Sequence, residues 1–181
     1  MFALKDCRHV SIGKAGASLS SVRVLVVEDF EPFRRFIAST LRTRPDLEII
    51  REVWDGFEAI QRAQELRPNL IVLDIGIPKL NGIEAARQIR KLSPESKILF
   101  LSQESSADAV QEALGLGALG YVVKVHAGSE LLPAVEAVLQ GNQFVGSGLS
   151  GHLFAGVDAP APDLFHEKDL SGDNCKRRER P

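Results

Sequence analysis

Between residues 22 and 145, short apolar runs alternate five times with longer stretches whose apolar residues recur every three to four positions. Parallel strands need a crossover between them, and a helix returning over the sheet supplies it. The alternation therefore implies an α/β fold: a doubly wound parallel sheet with helices on both faces. Residues 22–27 are nearly all Val and Leu, the composition of a strand buried on both sides. Phe33, Phe36, Ile37 and Leu41 then share one helical face, with Pro32 at the first helical position, where a missing N–H costs nothing. The second unit predicts a strand over 48–53 and a helix carrying Ala59, Ile60, Ala63 and Leu66. The third predicts a strand over 70–73 ending at Asp74, a loop with Pro78 and Gly82, and a helix bearing Ile83, Ala86 and Ile89. A strand over 97–101 ending at Ser102 follows, with a weaker helix around Val110, Ala113 and Leu114 closed by glycines 115, 117 and 120. The last unit joins a strand over 121–123 to a helix with Leu131, Leu132, Val135, Val138 and Leu139.

Composition supports one such domain and little beyond it. The chain has 181 residues, 44% of them apolar, enough for a packed core. Its 22 basic and 24 acidic side chains leave a net charge of −2, which argues against nucleic-acid or membrane electrostatics as its organising principle. Apolar runs such as 24–27 fall far short of the ~18 residues of a membrane span. Residues 1–21 include Lys5, Asp6, Arg8, His9 and Lys14 and lack the continuous apolar block of a secretory signal. Cys7 and Cys175 stand near opposite ends, so no disulfide framework is expected and a reducing, cytoplasmic location fits. The expected layout is a flexible leader (1–21), one folded domain (22–145) and a tail (146–181) that is mostly flexible apart from one docked turn. From 147 to 181 only 11 of 35 residues are apolar, and Ala-Pro-Ala-Pro at 159–162 interrupts any helix. The basic cluster Lys176-Arg177-Arg178 is blunted by Asp169, Asp173 and Glu179, and the four histidines show no ligand spacing.

Functional groups in a doubly wound sheet gather beyond the carboxyl ends of its strands. Those ends carry Glu28 and Asp29, then Asp74, Ser102 and Lys124: three carboxylates, a hydroxyl and an ammonium on one rim. Clustered carboxylates repel one another, and a hard cation with oxygen ligands relieves the repulsion. Mg²⁺ (or Mn²⁺) suits such a set. Asp29 and Asp74 are the candidate direct ligands, Glu28 acts directly or through water, and the peptide carbonyl of Gly76 is the backbone donor. Asp74 can then attack phosphorus as a carboxylate nucleophile and become an acyl phosphate. The cation and Lys124 would neutralise the phosphoryl oxygens, and Ser102 would donate a hydrogen bond to one of them. Singly, each residue has a plainer role: a solvated acidic loop, a helix cap, a loop hydroxyl, a surface lysine. Their coincidence at four strand ends favours the chemical reading. Trp54 is expected to cover the end of the second strand, and Gly82 to supply turn geometry.

Five segments together resemble the receiver domain of bacterial two-component response regulators. They are Val-Leu-Val-Val-Glu-Asp (24–29), Leu-Ile-Val-Leu-Asp-Ile-Gly-Ile-Pro (70–78), Asn-Gly-Ile-Glu (81–84), Leu-Ser (101–102) and Gly-Tyr-Val-Val-Lys (120–124). The stretches at 81–86 and 117–124 are most similar to the NarL/LuxR-type subgroup. This likeness covers about 22–145 and implies a flavodoxin-like (βα)5 sheet with strand order 2-1-3-4-5. It also implies phosphorylation of Asp74 by a partner histidine kinase or histidine phosphotransfer protein, with Ser102 as the switch hydroxyl and Tyr121 as the switch aromatic. Phosphorylation would draw Ser102 inward, let Tyr121 follow, and remodel the face made by the fourth helix, fifth strand and fifth helix. Two departures stand out. Val125 follows the lysine where many receivers have a cis proline, so a trans peptide is expected, a non-proline cis bond costing ~3–4 kcal/mol. The 36 residues from 146 to 181 hold too few apolar positions for the helix-turn-helix of that subgroup, so the expectation is a receiver without an output domain, or a shortened reading frame.

The leading expectation is thus a switching module whose chemistry is confined to its own phosphorylation and dephosphorylation, not an enzyme acting on a separate substrate. A Mg-dependent phosphatase of the haloacid-dehalogenase type also uses an aspartate nucleophile, but needs a second Asp two residues on, where Gly76 stands. A DNA-binding transcriptional regulator whose output domain is missing is the other alternative; the near-neutral charge counts against DNA contact. Homodimerisation through the first or last helix is an open expectation, and no membrane partner is expected.

Overall fold

Each apolar run becomes a strand and each periodic segment a helix in the computed structural model, which describes residues 21–147 and 149. The order is β1 (Val22–Val27), α1 (Glu31–Leu41), β2 (Leu47–Val53), α2 (Gly56–Leu66), β3 (Leu70–Asp74), α3 (Gly82–Leu92), β4 (Lys97–Ser102), α4 (Ala107–Gly115), β5 (Gly120–Val123), α5 (Ala127–Gln140) and β6 (Phe144–Val145). A single 3-10 turn, Lys124–His126, links β5 to α5. The strands lie in the order β2-β1-β3-β4-β5-β6, and every neighbouring pair is parallel. This is the expected flavodoxin-like order with one strand added. The added strand has only two residues, pairing Gly120 with Phe144 and Tyr121 with Val145, too short a segment to show a period of its own.

Alternation along the buried strands divides the core in two. Val24, Val26, Leu70, Val72, Leu99 and Leu101 pack with Ile37 and Leu41 of α1 and Leu131, Val135 and Val138 of α5. Leu25, Val27, Ile71, Leu73 and Phe100 face the other way, onto Ala59 and Ala63 of α2, Ala86 and Ile89 of α3, and Val110 and Ala113 of α4. Successive strand residues point to opposite faces, so only strands covered on both sides accept apolar residues at every position.

Local chemistry starts three of the helices. Asp55, Asn81 and Ser106 each accept a hydrogen bond from the backbone N–H three residues on, at 2.9, 2.9 and 3.3 Å, which satisfies donors that no helical carbonyl reaches. Gly82 departs from the expectation of a special turn. It opens α3, and a Cβ there would stand 2.1 Å from the Asp74 carbonyl oxygen, so space and not backbone angle demands glycine. Trp54 also departs. It is 52% exposed and so leaves half of its surface in water, because Val53 before it is fully buried and the next side chain points outward.

The expected leader and tail lie outside the described residues, except for Ser21, Gly146, Ser147 and Leu149. Leu149 is buried in the cluster that holds Phe100 and Tyr121. Glu130 of α5 accepts hydrogen bonds from the Ser147 N–H (2.9 Å) and from the Ser147 hydroxyl, fastening the chain beyond β6. No helix among the described residues is long and apolar enough to cross a membrane.

Candidate functional site

Parallel pairing sets every carboxyl end on one rim, and the register decides which residues meet there. Val27 pairs with Leu73, Asp74 with Leu101, and Ser102 with Val123, so the residues that follow β1, end β3 and β4, and follow β5 come side by side. Lys124 Nζ lies 2.8 Å from Asp74 Oδ2 and 2.7 Å from Glu28 Oε2, and hydrogen-bonds Glu28 Oε1 at 3.0 Å. Carboxylate oxygens of Glu28, Asp29 and Asp74 fall within 4.8 Å of one another. A cavity of about 510 Å³ opens above them, lined among others by Asp29, Asp74, Gly76, Ser102 and Lys124. All six residues expected at the chemical site are therefore brought together.

Their depths differ. Glu28 is fully buried and does not line the cavity, whereas Asp29 is exposed at the mouth and Asp74 sits 5% exposed on the floor. Burial pushes the Glu28 carboxyl above its ordinary value; the Lys124 hydrogen bond opposes the shift and the Asp74 charge adds to it. Burial pulls the Lys124 ammonium down, but hydrogen bonds and charge from Asp74 and Glu28 outweigh it and leave the group raised. Lys124 is thus a fixed cation spanning two acids. The donor set fits a hard divalent ion on its chemistry: three clustered carboxylates, Glu28 and Asp74 buried and Asp29 exposed, with one lysine too few to balance them. Gly76 lines the cavity beside Asp74, and a Cβ there would make an ordinary contact 3.6 Å from Asp74 Oδ2. The Lys124–Val125 peptide is trans, like every peptide among the described residues.

Ser102 and Tyr121 converge on one neighbour. The Ser102 hydroxyl accepts from the Glu104 N–H at 3.0 Å, and the Tyr121 hydroxyl donates to the Glu104 carbonyl at 2.9 Å. Tyr121 is fully buried, its ring tilted against Phe100 with centroids 6.3 Å apart. Burial raises its phenol, with a Ser102 hydrogen bond pulling the other way.

Three participants escaped the sequence reading. The Phe33 ring centroid lies 4.9 Å from Lys124 Nζ, although Phe33 reads as an ordinary core position of α1. Arg34 donates to the carbonyls of Glu28 (2.8 Å) and Asp29 (3.2 Å), pinning the acidic loop, although its spacing reads as a solvated face. Glu104 acts through its backbone, which no residue type announces.

A doubly wound parallel sheet presenting three acids, a hydroxyl and a lysine on its carboxyl rim defines a receiver-type domain. The comparisons agree: the chain belongs to the response regulator receiver domain family, which matches residues 24–136. Over 134 residues it is 33% identical to the transcriptional regulatory protein LiaR of Bacillus subtilis (strain 168), covering 74% of this chain and 64% of that protein. The crystal structure of a LuxR-family two-component response regulator from Aurantimonas sp. SI85-9A1 is 30% identical and superposes with a TM-score of 0.70, over 73% of this chain and 94% of that one. For the response regulator domain of Thermotoga maritima CheB the values are 32% and 0.62, over 66% and 97%. The likeness to a LuxR-family regulator agrees with the subgroup resemblance. This chain spans less than two thirds of the length of LiaR.

Proposed function

We propose that the protein is a phosphoacceptor switch that takes a phosphoryl group on Asp74 from a histidine kinase or a histidine phosphotransfer protein. The observation that carries this reading is the Lys124 ammonium 2.8 Å from Asp74 Oδ2 on the floor of a cavity ringed by acids. An Asp74 carboxylate oxygen forms the bond to phosphorus as the donor's bond breaks, and the electron pair leaves with the donor nitrogen. Lys124 neutralises phosphoryl oxygens, and Ser102 turns its hydroxyl from the Glu104 N–H toward one of them. Asp29, Asp74 and the Gly76 carbonyl would hold Mg²⁺, with Glu28 beneath; the ion supplies further charge neutralisation at the phosphoryl group. Movement of Ser102 releases the β4–α4 loop at Glu104 and with it Tyr121, remodelling the face made by α4, β5 and α5. The chemistry is confined to the protein's own phosphorylation and dephosphorylation, in the cytoplasm, with homodimerisation through α1 or α5 as a further expectation.

Incubation with acetyl phosphate and Mg²⁺ should label Asp74, and Asp74→Ala should remain unlabelled. Label persisting in that variant overturns the assignment. A second reading, in which this receiver governs a transcriptional regulator, is favoured by the name of the relative LiaR. Its signature is DNA binding that weakens steeply with salt.

A further inference from the structure

Lys124 must keep one place through a change that removes one of its own partners. Esterification to phosphorus takes the negative charge from the Asp74 oxygen that now lies 2.8 Å from the ammonium. The lysine stem is a flexible four-carbon chain, and Val125 after it is 82% exposed, so only Val123 on its other side is anchored in the sheet. Beside the two carboxylates, the ammonium also meets the face of Phe33, at 4.9 Å from Nζ to the ring centroid. An aromatic face attracts a cation at this range through its quadrupole, and the attraction owes nothing to the charge on Asp74. Phe33 is itself held, its ring stacked on Phe36 with centroids 5.4 Å apart and packed against the α1–α5 half of the core.

We propose that Phe33 is a positioning residue for phosphoryl transfer, seating the Lys124 ammonium over its ring so that the cation stays at the cavity floor as Asp74 loses its charge. This rests on the phosphoacceptor reading above. Phe33 touches no reacting atom and acts through Lys124 alone.

The test uses the full chain with Mg²⁺ and acetyl phosphate. Phe33→Leu keeps an apolar side chain against Phe36 and removes the π face. It should slow Asp74 labelling at saturating donor about three- to tenfold, the effect of losing a partly desolvated cation–π contact, with the half-saturating donor concentration unchanged. Phe33→Tyr, which restores a ring, should recover the wild-type rate. In a Lys124→Met background, Phe33→Leu should bring no further loss. Wild-type labelling by Phe33→Leu, failure of Phe33→Tyr to recover, or equal slowing in the Lys124→Met background each overturns the proposal. Chemical denaturation of the same four proteins (wild type, both single variants and the double) reads the contact without phosphorylation. The double variant's unfolding constant should depart at least about twofold from the product of the single effects, and agreement with the product also overturns the proposal. Wild-type protein that never labels on Asp74 defeats the phosphoacceptor reading and the role in transfer with it, leaving only the seating of Lys124 on Phe33 to be judged. In that event, or if Lys124→Met labels too slowly to measure, the denaturation cycle decides.

Discussion

Glu28 is the most constrained residue of the site. Its carboxylate is fully buried, bridged by Lys124 and capped by the Phe30 N–H at 3.2 Å, yet burial still dominates and raises its pKa. A carboxyl raised on folding binds its proton more tightly in the folded state. The folded protein therefore bears a penalty at neutral pH, which disappears as pH falls through the raised value toward the ordinary 4.5. Glu28→Gln should accordingly stabilise the ion-free protein at pH 7, Lys124 keeping Asp74 as its partner, and the gain should shrink at acid pH. Urea melts in chelator across pH 4 to 7 check both halves of this statement; a variant less stable than wild type at pH 7 would contradict it. The acid is thus explained by the lysine it holds and by its place in the proposed Mg²⁺ site, and not by the fold it weakens. Its position was legible from the strand-end pattern. Its depth was not, because Glu28 and Asp29 are adjacent acids whose different burial depends on how α1 closes over them.

The loops that frame the site are tied to one another by elements distant in sequence. Asp55 caps α2 and also accepts from Lys79 Nζ at 2.8 Å, joining the β2–α2 loop to the β3–α3 loop that carries Gly76. The Lys79 hydrogen bond, aided by the Glu58 N–H, holds the Asp55 carboxyl below its ordinary value. An acid depressed on folding contributes stability above its unfolded pKa and loses it as pH falls through the folded one. Asp55→Ala should cost about 1 kcal/mol or slightly more at pH 7, the usual worth of an N-cap, and the difference from wild type should fade below the ordinary value of 3.8. Guanidinium melts at pH 7 and pH 3 measure it, and an unchanged difference would show that the cap works without its charge. Asp55 before a helix reads as a cap in sequence, whereas its bond to Lys79, 24 residues on, depends on the packing of α2 on α3.

Across the whole molecule, one sheet joins the acidic rim to the edge at β5 and β6. Tyr121 pairs with Val145, its hydroxyl holds the β4–α4 loop, and Leu149 packs in the same cluster, so a shift at Ser102 has a short physical route to the far edge. The proposed Mg²⁺ site carries a whole-molecule prediction as well. A ligand bound only by the folded state stabilises by mass action, about 1.4 kcal/mol at ten times its dissociation constant. Mg²⁺ should therefore raise Tm by several degrees, roughly 2–8 °C for a domain of this size. Asp29→Asn should abolish the Mg²⁺-dependent increment while leaving a folded protein, as followed by thermal melts with and without chelator. An undiminished increment would place the ion elsewhere.

Much of this architecture is local and therefore written in the chain. Unbroken Val and Leu runs suit only strands covered on both faces, and helical periods between them force a parallel sheet. Polar residues that interrupt such a pattern at four strand ends must gather on one rim, which is why the sequence alone groups Glu28, Asp29, Asp74, Ser102 and Lys124. Tertiary structure alone decided the rest: that Phe33 lies under Lys124, that Arg34 turns inward to two carbonyls, that Gly82 serves a close approach, and that Phe144–Val145 extends the sheet. Those facts depend on which helix crosses which strand and at what distance. A linear pattern records the period of a side chain, but not the partner that meets it from elsewhere in the chain.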